Sequence, residues 1–213
     1  MADDFWAKLH DLYSDKDWIS KPSLFAETVK SYLPATGRLL DLGAGLGQDG
    51  AYFAELGYEV ISTDLNTSRL AELSGGKFQV ETVDLRYPLP YVDESFDVIY
   101  AHLSLHYFDE KTTEQIFDEI YRVLKTGGVF AFFTNSKDDP EYNTGKKLED
   151  SYFEIDGVAK RYFDVEAAKN FAQKFKPLLV DNNGETYKDR AKGIHNLIRY
   201  IGTKQEDPSL VVK

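Results

Sequence analysis

The sequence predicts an α/β fold, a Rossmann-like three-layer sandwich with a mostly parallel sheet between two layers of helices. Three observations carry this expectation. From residue 38 onward, short apolar runs alternate with segments of helical periodicity, the pattern of a parallel sheet whose crossovers are helices. The first of those runs enters a glycine cluster, Gly43-Ala44-Gly45-Leu46-Gly47, a turn that lets another molecule approach the backbone closely. The length, 213 residues, suits one domain with a small insertion better than two.

Composition narrows the class. Apolar residues make up 42% of the chain, enough for a globular core rather than a disordered chain. Acidic residues outnumber basic ones by 36 to 25, for a net charge of −11, which argues against a phosphate backbone as partner. There is no cysteine, so disulfides, thiolate zinc, iron–sulfur clusters and thiol nucleophiles are excluded. No metal site is expected. No apolar run approaches the roughly 20 residues of a spanning helix. The acidic start Met1-Ala2-Asp3-Asp4, with no apolar stretch after it, does not read as a signal peptide. These features predict a soluble cytoplasmic protein.

Residues 1–36 read as an N-terminal helical cap. Phe5, Leu9, Leu12 and Tyr13 recur at helical spacing, and so do Leu24, Phe25, Val29 and Tyr32. Ser20 is a candidate cap for the second helix, with Pro22 in its first turn. Pro34 and Gly37 stop it. The apolar run at 38–42 reads as a buried strand. Ala51, Tyr52, Phe53, Ala54 and Leu56 predict a helix closed by Gly57. Residues 58–63 predict a second strand. Asn66-Thr67-Ser68 opens a helix that ends at Gly75-Gly76. Residues 78–83 and 96–100 predict strands three and four. Ile116, Phe117, Ile120, Val123 and Leu124 form one helical face over 111–124, ended by Lys125 and Gly127, and 129–133 predicts strand five.

The stretch 135–163 is too long and polar for an ordinary connection. Within it, Asp156-Gly157 sits between two strand-like runs, a hairpin signal. A small inserted hairpin is therefore expected after strand five. Asp164 caps a helix carrying Val165, Ala168, Phe171, Ala172 and Phe175. Pro177 begins strand six, and 194–201 supplies strand seven. With no helical pattern between them, the last two pair antiparallel. Residues 37–203 thus form the main domain, and 204–213 a loose tail.

The run Leu39-Leu40-Asp41-Leu42-Gly43-Ala44-Gly45-Leu46-Gly47 is the most informative stretch. A dinucleotide fingerprint needs Gly-x-Gly-x-x-Gly, but its sixth position here is Gln48, and the third glycine comes one residue early. Asp41, two residues before the first glycine, suits a ligand amino group and would repel a pyrophosphate. This run resembles motif I of the class I S-adenosylmethionine-dependent methyltransferases, and later motifs follow in order. Asp64 ends strand two, Val83-Asp84-Leu85 ends strand three, and Phe96-Asp97-Val98-Ile99-Tyr100-Ala101-His102 resembles the strand-four motif. Glu119 to Gly128 resembles the motif before strand five, with Thr126 in place of the usual proline. The resemblance covers residues 37–134 well and 164–202 loosely. Small-molecule enzymes are the nearest branch, and the tellurite-resistance type is similar in size and layout.

The resemblance implies a seven-stranded sheet of order 3-2-1-4-5-7-6 with strand seven antiparallel. It implies S-adenosyl-L-methionine as cofactor, with S-adenosyl-L-homocysteine as product. It places the cofactor against Asp41, Gly43, Ala44, Gly45, Gly47, Asp64, Leu65, Asp84, Leu85 and Ala101. Asp64 would accept from the ribose hydroxyls, Asp84 from the adenine amino group, and Leu85 would pack on the ring. His102 and His106, beside the methyl donor, are the candidate bases because an imidazole titrates near neutrality. A plainer role stands beside each: a turn cap for Asp41, a helix cap for Asp64, a solvent-facing strand end for Asp84, and surface loop residues for the histidines. His10 and His195 read as structural. Tyr13 and Trp18 read as packing residues or part of a lid. The insertion's aromatics either decorate the surface or wall a substrate pocket.

Methyl transfer is an in-line displacement in which the protein mainly aligns the reactants. The acceptor expected is a small molecule. The Asn/Asp-Pro-Pro-Tyr/Phe signature of DNA and protein amino-group methylation is absent after strand four, where Ala101-His102-Leu103-Ser104 stands. Two alternatives stay open: a non-catalytic module of the same fold that binds a nucleoside or a partner chain, and a nicotinamide-dependent oxidoreductase.

Overall fold

A computed structural model describes residues 21–187 and 193–206. The expected helix at 3–19, with His10, Tyr13 and Trp18, lies outside these residues, as do the Ser20 cap and the tail from 207. The first described helix, α1 (Leu24–Val29), is capped by Ser23, whose hydroxyl accepts from the Ala26 amide at 3.0 Å. Pro22 therefore precedes the helix rather than opening its first turn. A 3-10 turn, Lys30–Tyr32, continues it.

The main sheet holds β1 (Arg38–Leu42), β2 (Glu59–Asp64), β3 (Phe78–Thr82), β4 (Phe96–His102), β5 (Leu124–Thr134), β9 (Phe175–Gly184) and β10 (Leu197–Lys204). Their order is β3-β2-β1-β4-β5-β10-β9. The first five strands pair in parallel, and β10 is antiparallel to both β5 and β9. This is the expected topology, with β9 and β10 as the sixth and seventh strands. Helices α2 (Gln48–Glu55), α3 (Glu110–Val123) and α4 (Val165–Phe171) supply crossovers.

The strands alternate between two cores, one on each face. Along β4, Val98 and Tyr100 face one cluster, with Phe25, Val29 and Phe53 from α1 and α2. Ile99 and Ala101 face the other, with Ile116, Phe117 and Ile120 from α3 and Ala168 from α4. The three α3 side chains are each at most 3% exposed, and burial of each is worth about 1.5–3 kcal/mol.

Four local expectations needed correction. Between β2 and β3 there is no helix, only a 3-10 turn at Leu70–Leu73. Asn66 Oδ1 instead accepts from the Ser68 amide and hydroxyl, and the Thr67 hydroxyl pairs with that of Thr82, so side chains there compete with helical bonds. Helix α3 ends at Val123, and Leu124 already pairs with Phe96. Helix α4 is short, and Phe175, placed on it by periodicity, begins β9 and fills the core. The insertion is a three-stranded sheet, β6 (Lys146–Glu149), β7 (Tyr152–Ile155) and β8 (Val158–Arg161). The β7–β8 hairpin turns through Asp156 and Gly157, both at positive φ, as a tight primed turn requires. The exposed strand β6 has no apolar alternation to betray it.

Candidate functional site

The site is built where β1 runs into α2. Gly43, Gly45 and Gly47 have φ of +73°, +57° and +82°, a region that L side chains enter only at a cost. The amides of Gly43 and Ala44 both donate to the Thr63 carbonyl at 2.8 Å, which ties the turn to β2. A methyl group at Gly43 would collide with the Ser104 side chain, and one at Gly47 would lie 2.6 Å from Leu70. The glycines leave an open backbone turn at the carboxyl end of the sheet, where ligands of open α/β sheets bind.

Three carboxylates surround this turn. Asp64, at the end of β2, accepts from the Gly45 amide at 2.9 Å and from the Asn66 amide at 3.0 Å. It is half-buried, as is its neighbour Leu65. Asp41 is 2% exposed and accepts one hydroxyl bond, from Ser62 at 3.1 Å. Burial, then the nearby Asp49 charge, raises its carboxyl well above the usual range, against a smaller lowering by Ser62. Asp49, in the first turn of α2, is also buried. It accepts from the Ser23 amide at 2.6 Å, the Ser23 hydroxyl at 2.8 Å and the Tyr100 hydroxyl at 2.6 Å. Asp49 thus binds the cap of α1 and the end of β4 to the glycine turn.

Asp41, Gly43, Ala44, Gln48, Asp49, Tyr100 and His102 line a cavity of about 20 Å³. The His102 ring stacks on Phe133 at 4.9 Å and 13°. Burial lowers its pKa below the ordinary value, and Asp49 offsets part of that. The next residue, Leu103, turns the chain out of β4 at φ +54° while its amide donates to the Phe133 carbonyl at 2.9 Å.

The other expected residues lie elsewhere around the turn. His106 does not share the cavity. It is 2% exposed, packed against Tyr107 at 4.1 Å, and its Nδ1 has no hydrogen-bond partner among the described residues. Burial, with smaller contributions from Lys160 and His102, lowers its pKa to about 3. Its carbonyl accepts from the Arg161 amide at 2.7 Å, so it anchors the inserted sheet. Asp84, beyond β3, is clasped by Arg86, whose Nη2 lies 2.6 Å away, and this holds its carboxyl below the usual range. Leu85 packs against the core. Ala101 is 0% exposed and faces the α3 side of the sheet, away from Tyr100 and the cavity. Asp49, Tyr100, Ser23 and Gln48 were not singled out from sequence. The only signal for Asp49 was a carboxylate beside a helix N-terminus, which reads first as a dipole partner.

The donor set fits the cofactor that the resemblance implies. Two buried carboxylates without a cationic partner among the described residues, beside an open backbone turn, suit a ligand with a positive end. Asp64 at the neighbouring strand end suits a pair of hydroxyls.

Residues 40–132 match a family model described as a methyltransferase domain. The malonyl-[acyl-carrier protein] O-methyltransferase of Enterobacter lignolyticus is 31% identical over 116 residues, which cover 53% of this chain and 45% of that protein. The chain thus spans about half the length of the curated relatives it matches. Among solved structures, the 1,6-didemethyltoxoflavin-N1-methyltransferase of Burkholderia thailandensis, with its acceptor and S-adenosylhomocysteine bound, gives a TM-score of 0.74 at 20% identity, covering 94% of this chain and 84% of that one. A methyltransferase from Methanosarcina mazei gives a TM-score of 0.71 at 21% identity, covering 84% and 98%. With the strand order and the glycine turn, these matches show a chain with a Rossmann-like methyltransferase fold, whose residues 40–132 match a methyltransferase domain.

Proposed function

We propose that this protein transfers the methyl group of S-adenosylmethionine to a small-molecule acceptor in the cytoplasm. One observation carries the reading: an open turn of three left-handed glycines, braced by the Asp64 carboxylate, beside a cavity that Asp41 and Asp49 make acidic. Asp41 and Asp49 hold the ammonium end of the cofactor, Asp64 the ribose, and Asp84 with Leu85 the adenine. Bound there, the cofactor supplies an activated methyl group on a sulfonium. The chain supplies alignment and a proton acceptor. His102 takes that part, because its lowered pKa keeps the ring neutral near pH 7. His106 positions the loop after β4 and stays out of the chemistry. The net charge of −11 and the lack of cysteine favour a small-molecule acceptor and a reducing compartment.

The test is calorimetric titration with S-adenosylhomocysteine, with NAD as control. Binding of the first alone is expected, followed by methylation of members of an acceptor panel. Binding of NAD alone would overturn the reading in favour of an oxidoreductase. Binding of the sulfur nucleoside without turnover on any acceptor class would favour a non-catalytic module.

A further inference from the structure

Three neighbouring strands each bring one polar side chain to the same rung of the sheet. Ser62 on β2 is in register with Asp41 on β1, and Asp41 with Tyr100 on β4. Helix α2 lies directly over this rung because Gly50 has no side chain. A methyl group there would strike Ser62 and lie 3.0 Å from Asp41 Oδ2. The two carboxylates of the cavity are held differently. Asp41 takes one hydroxyl bond, from its rung neighbour Ser62. Asp49, one residue before Gly50, takes three, from Tyr100 and from Ser23 at the start of α1.

Asp49 has one acceptor position left. A carboxylate oxygen accepts about two hydrogen bonds. Oδ2 takes the Ser23 hydroxyl at 2.8 Å and the Tyr100 hydroxyl at 2.6 Å, and is full. Oδ1 takes the Ser23 amide at 2.6 Å and, among the described residues, keeps its second position. Both hydroxyl hydrogens go to Oδ2, although the two hydroxyl oxygens lie 3.2 Å apart. Burial, followed by the Asp49 charge, raises the Tyr100 pKa well above its ordinary value, so this hydroxyl stays a donor. Ser23 has a second task. Its oxygen accepts from the Ala26 amide and caps α1. One hydroxyl thus ties the first turn of α1 to a carboxylate that lines the cavity.

We propose that Tyr100 and Ser23 are positioning residues for cofactor binding: they fix the Asp49 carboxylate through Oδ2, so that the open position on Oδ1 meets the ammonium of the cofactor's amino-acid end. Both act through Asp49 rather than by bonding the ligand, and α1 is thereby part of the cofactor site. The proposal rests on the methyltransferase reading and adds to it the device that orients the donor.

The test is calorimetry on the full chain with two ligands. S-adenosylhomocysteine carries the amino-acid end, and 5′-methylthioadenosine is the same thioether nucleoside without it. Wild type is expected to bind the first more tightly. Tyr100→Phe should weaken S-adenosylhomocysteine about tenfold, near the lower end for one hydrogen bond to a charged group, and leave 5′-methylthioadenosine within about twofold. Ser23→Ala, at a half-buried position, should do the same and carries the test if Tyr100→Phe does not fold. In an Asp49→Asn background, Tyr100→Phe should add no more than about a further twofold, because its effect runs through Asp49. This cycle needs only S-adenosylhomocysteine, so it decides even where the truncated ligand binds too weakly to measure. Equal weakening of both ligands would mark a merely structural role and overturn the proposal. So would undiminished binding by both variants, a full tenfold loss in the Asp49→Asn background, or a wild type that binds the two ligands equally. A wild type that binds neither overturns instead the methyltransferase reading, and the proposal with it.

Discussion

Replacing His106 by phenylalanine should make the protein markedly less sensitive to acid. The imidazole is 2% exposed and its pKa is lowered from the ordinary 6.5 to about 3, chiefly by burial. The folded value lies below the unfolded one, so the native state binds fewer protons than the unfolded state in the interval between them. The contribution to stability is present in full above pH 6.5 and is lost as pH falls toward 3. Each pH unit within that window costs about 1.4 kcal/mol, so two units, down to roughly pH 4.5, cost about 2.7 kcal/mol. Urea denaturation of wild type and His106→Phe at both pH 7 and pH 4.5 measures this. The carboxylate ion pairs weaken equally in the two proteins, so the difference of differences isolates His106. Phenylalanine keeps the ring packed on Tyr107 and removes an Nδ1 that has no partner among the described residues, so the variant should be at least as stable as wild type at pH 7. If both proteins lose the same stability on acidification, to within about 0.5 kcal/mol, the ring is not buried in its neutral form and the reasoning fails.

Three further outcomes follow from the geometry. Gly43→Ala should cost about 1–2 kcal/mol for its left-handed backbone alone, and more from its collision with Ser104. The double variant with Ser104→Gly should regain the collision part but not the backbone part, as read by thermal unfolding. Asp41, raised by burial and by Asp49, should lose its proton when a cationic ligand enters. Its stabilisation of the fold is accordingly largest at low pH and is lost as pH rises through its elevated pKa. Calorimetric heats for S-adenosylmethionine in two buffers of different ionisation enthalpy should then differ for wild type and agree for Asp41→Asn, and agreement in both would count against the exchange. Arg161 is 5% exposed, donates to Glu149 at 2.6 Å and to the Phe108 carbonyl at 3.2 Å, and lies over the Tyr152 ring. Arg161→Ala should therefore cost about 3 kcal/mol and open the 146–161 sheet to proteolysis before the main sheet unfolds. Equal cleavage rates in variant and wild type would show that the insertion is held some other way.

Most of the fold was legible because its signals are local. The apolar run at 38–42, the alternation at 78–82 and the stripe of Ile116, Phe117 and Ile120 each fix a type of element within a few residues. The Asp156-Gly157 turn identified its hairpin through backbone conformation alone. The failures fell where distant parts of the chain compete with local preference. Asn66 and Thr67 read as a helix start, but the Asn66 side chain accepts from Ser68 and the Thr67 hydroxyl pairs with that of Thr82. Phe175 fits a helical period, but the core needs it on β9, where it pairs with Lys204.

The site divides along the same line. The glycines and Asp64 were readable in sequence because a strand, a turn and a strand-end carboxylate are short-range features whose geometry follows from backbone sterics. The partition among the carboxylates and histidines came only from the folded chain. Asp49 accepts from Ser23, 26 residues away, and from Tyr100, 51 residues away, and so holds three donors that no local pattern predicts. Asp41 is left with one. His102 and His106 are four residues apart with the same chemistry, yet one lines the cavity and the other is sealed beneath the inserted sheet. Which residue types were available was settled by sequence. Which of them carry charge, and which face the cavity, was decided by burial and by partners that only tertiary contacts bring together.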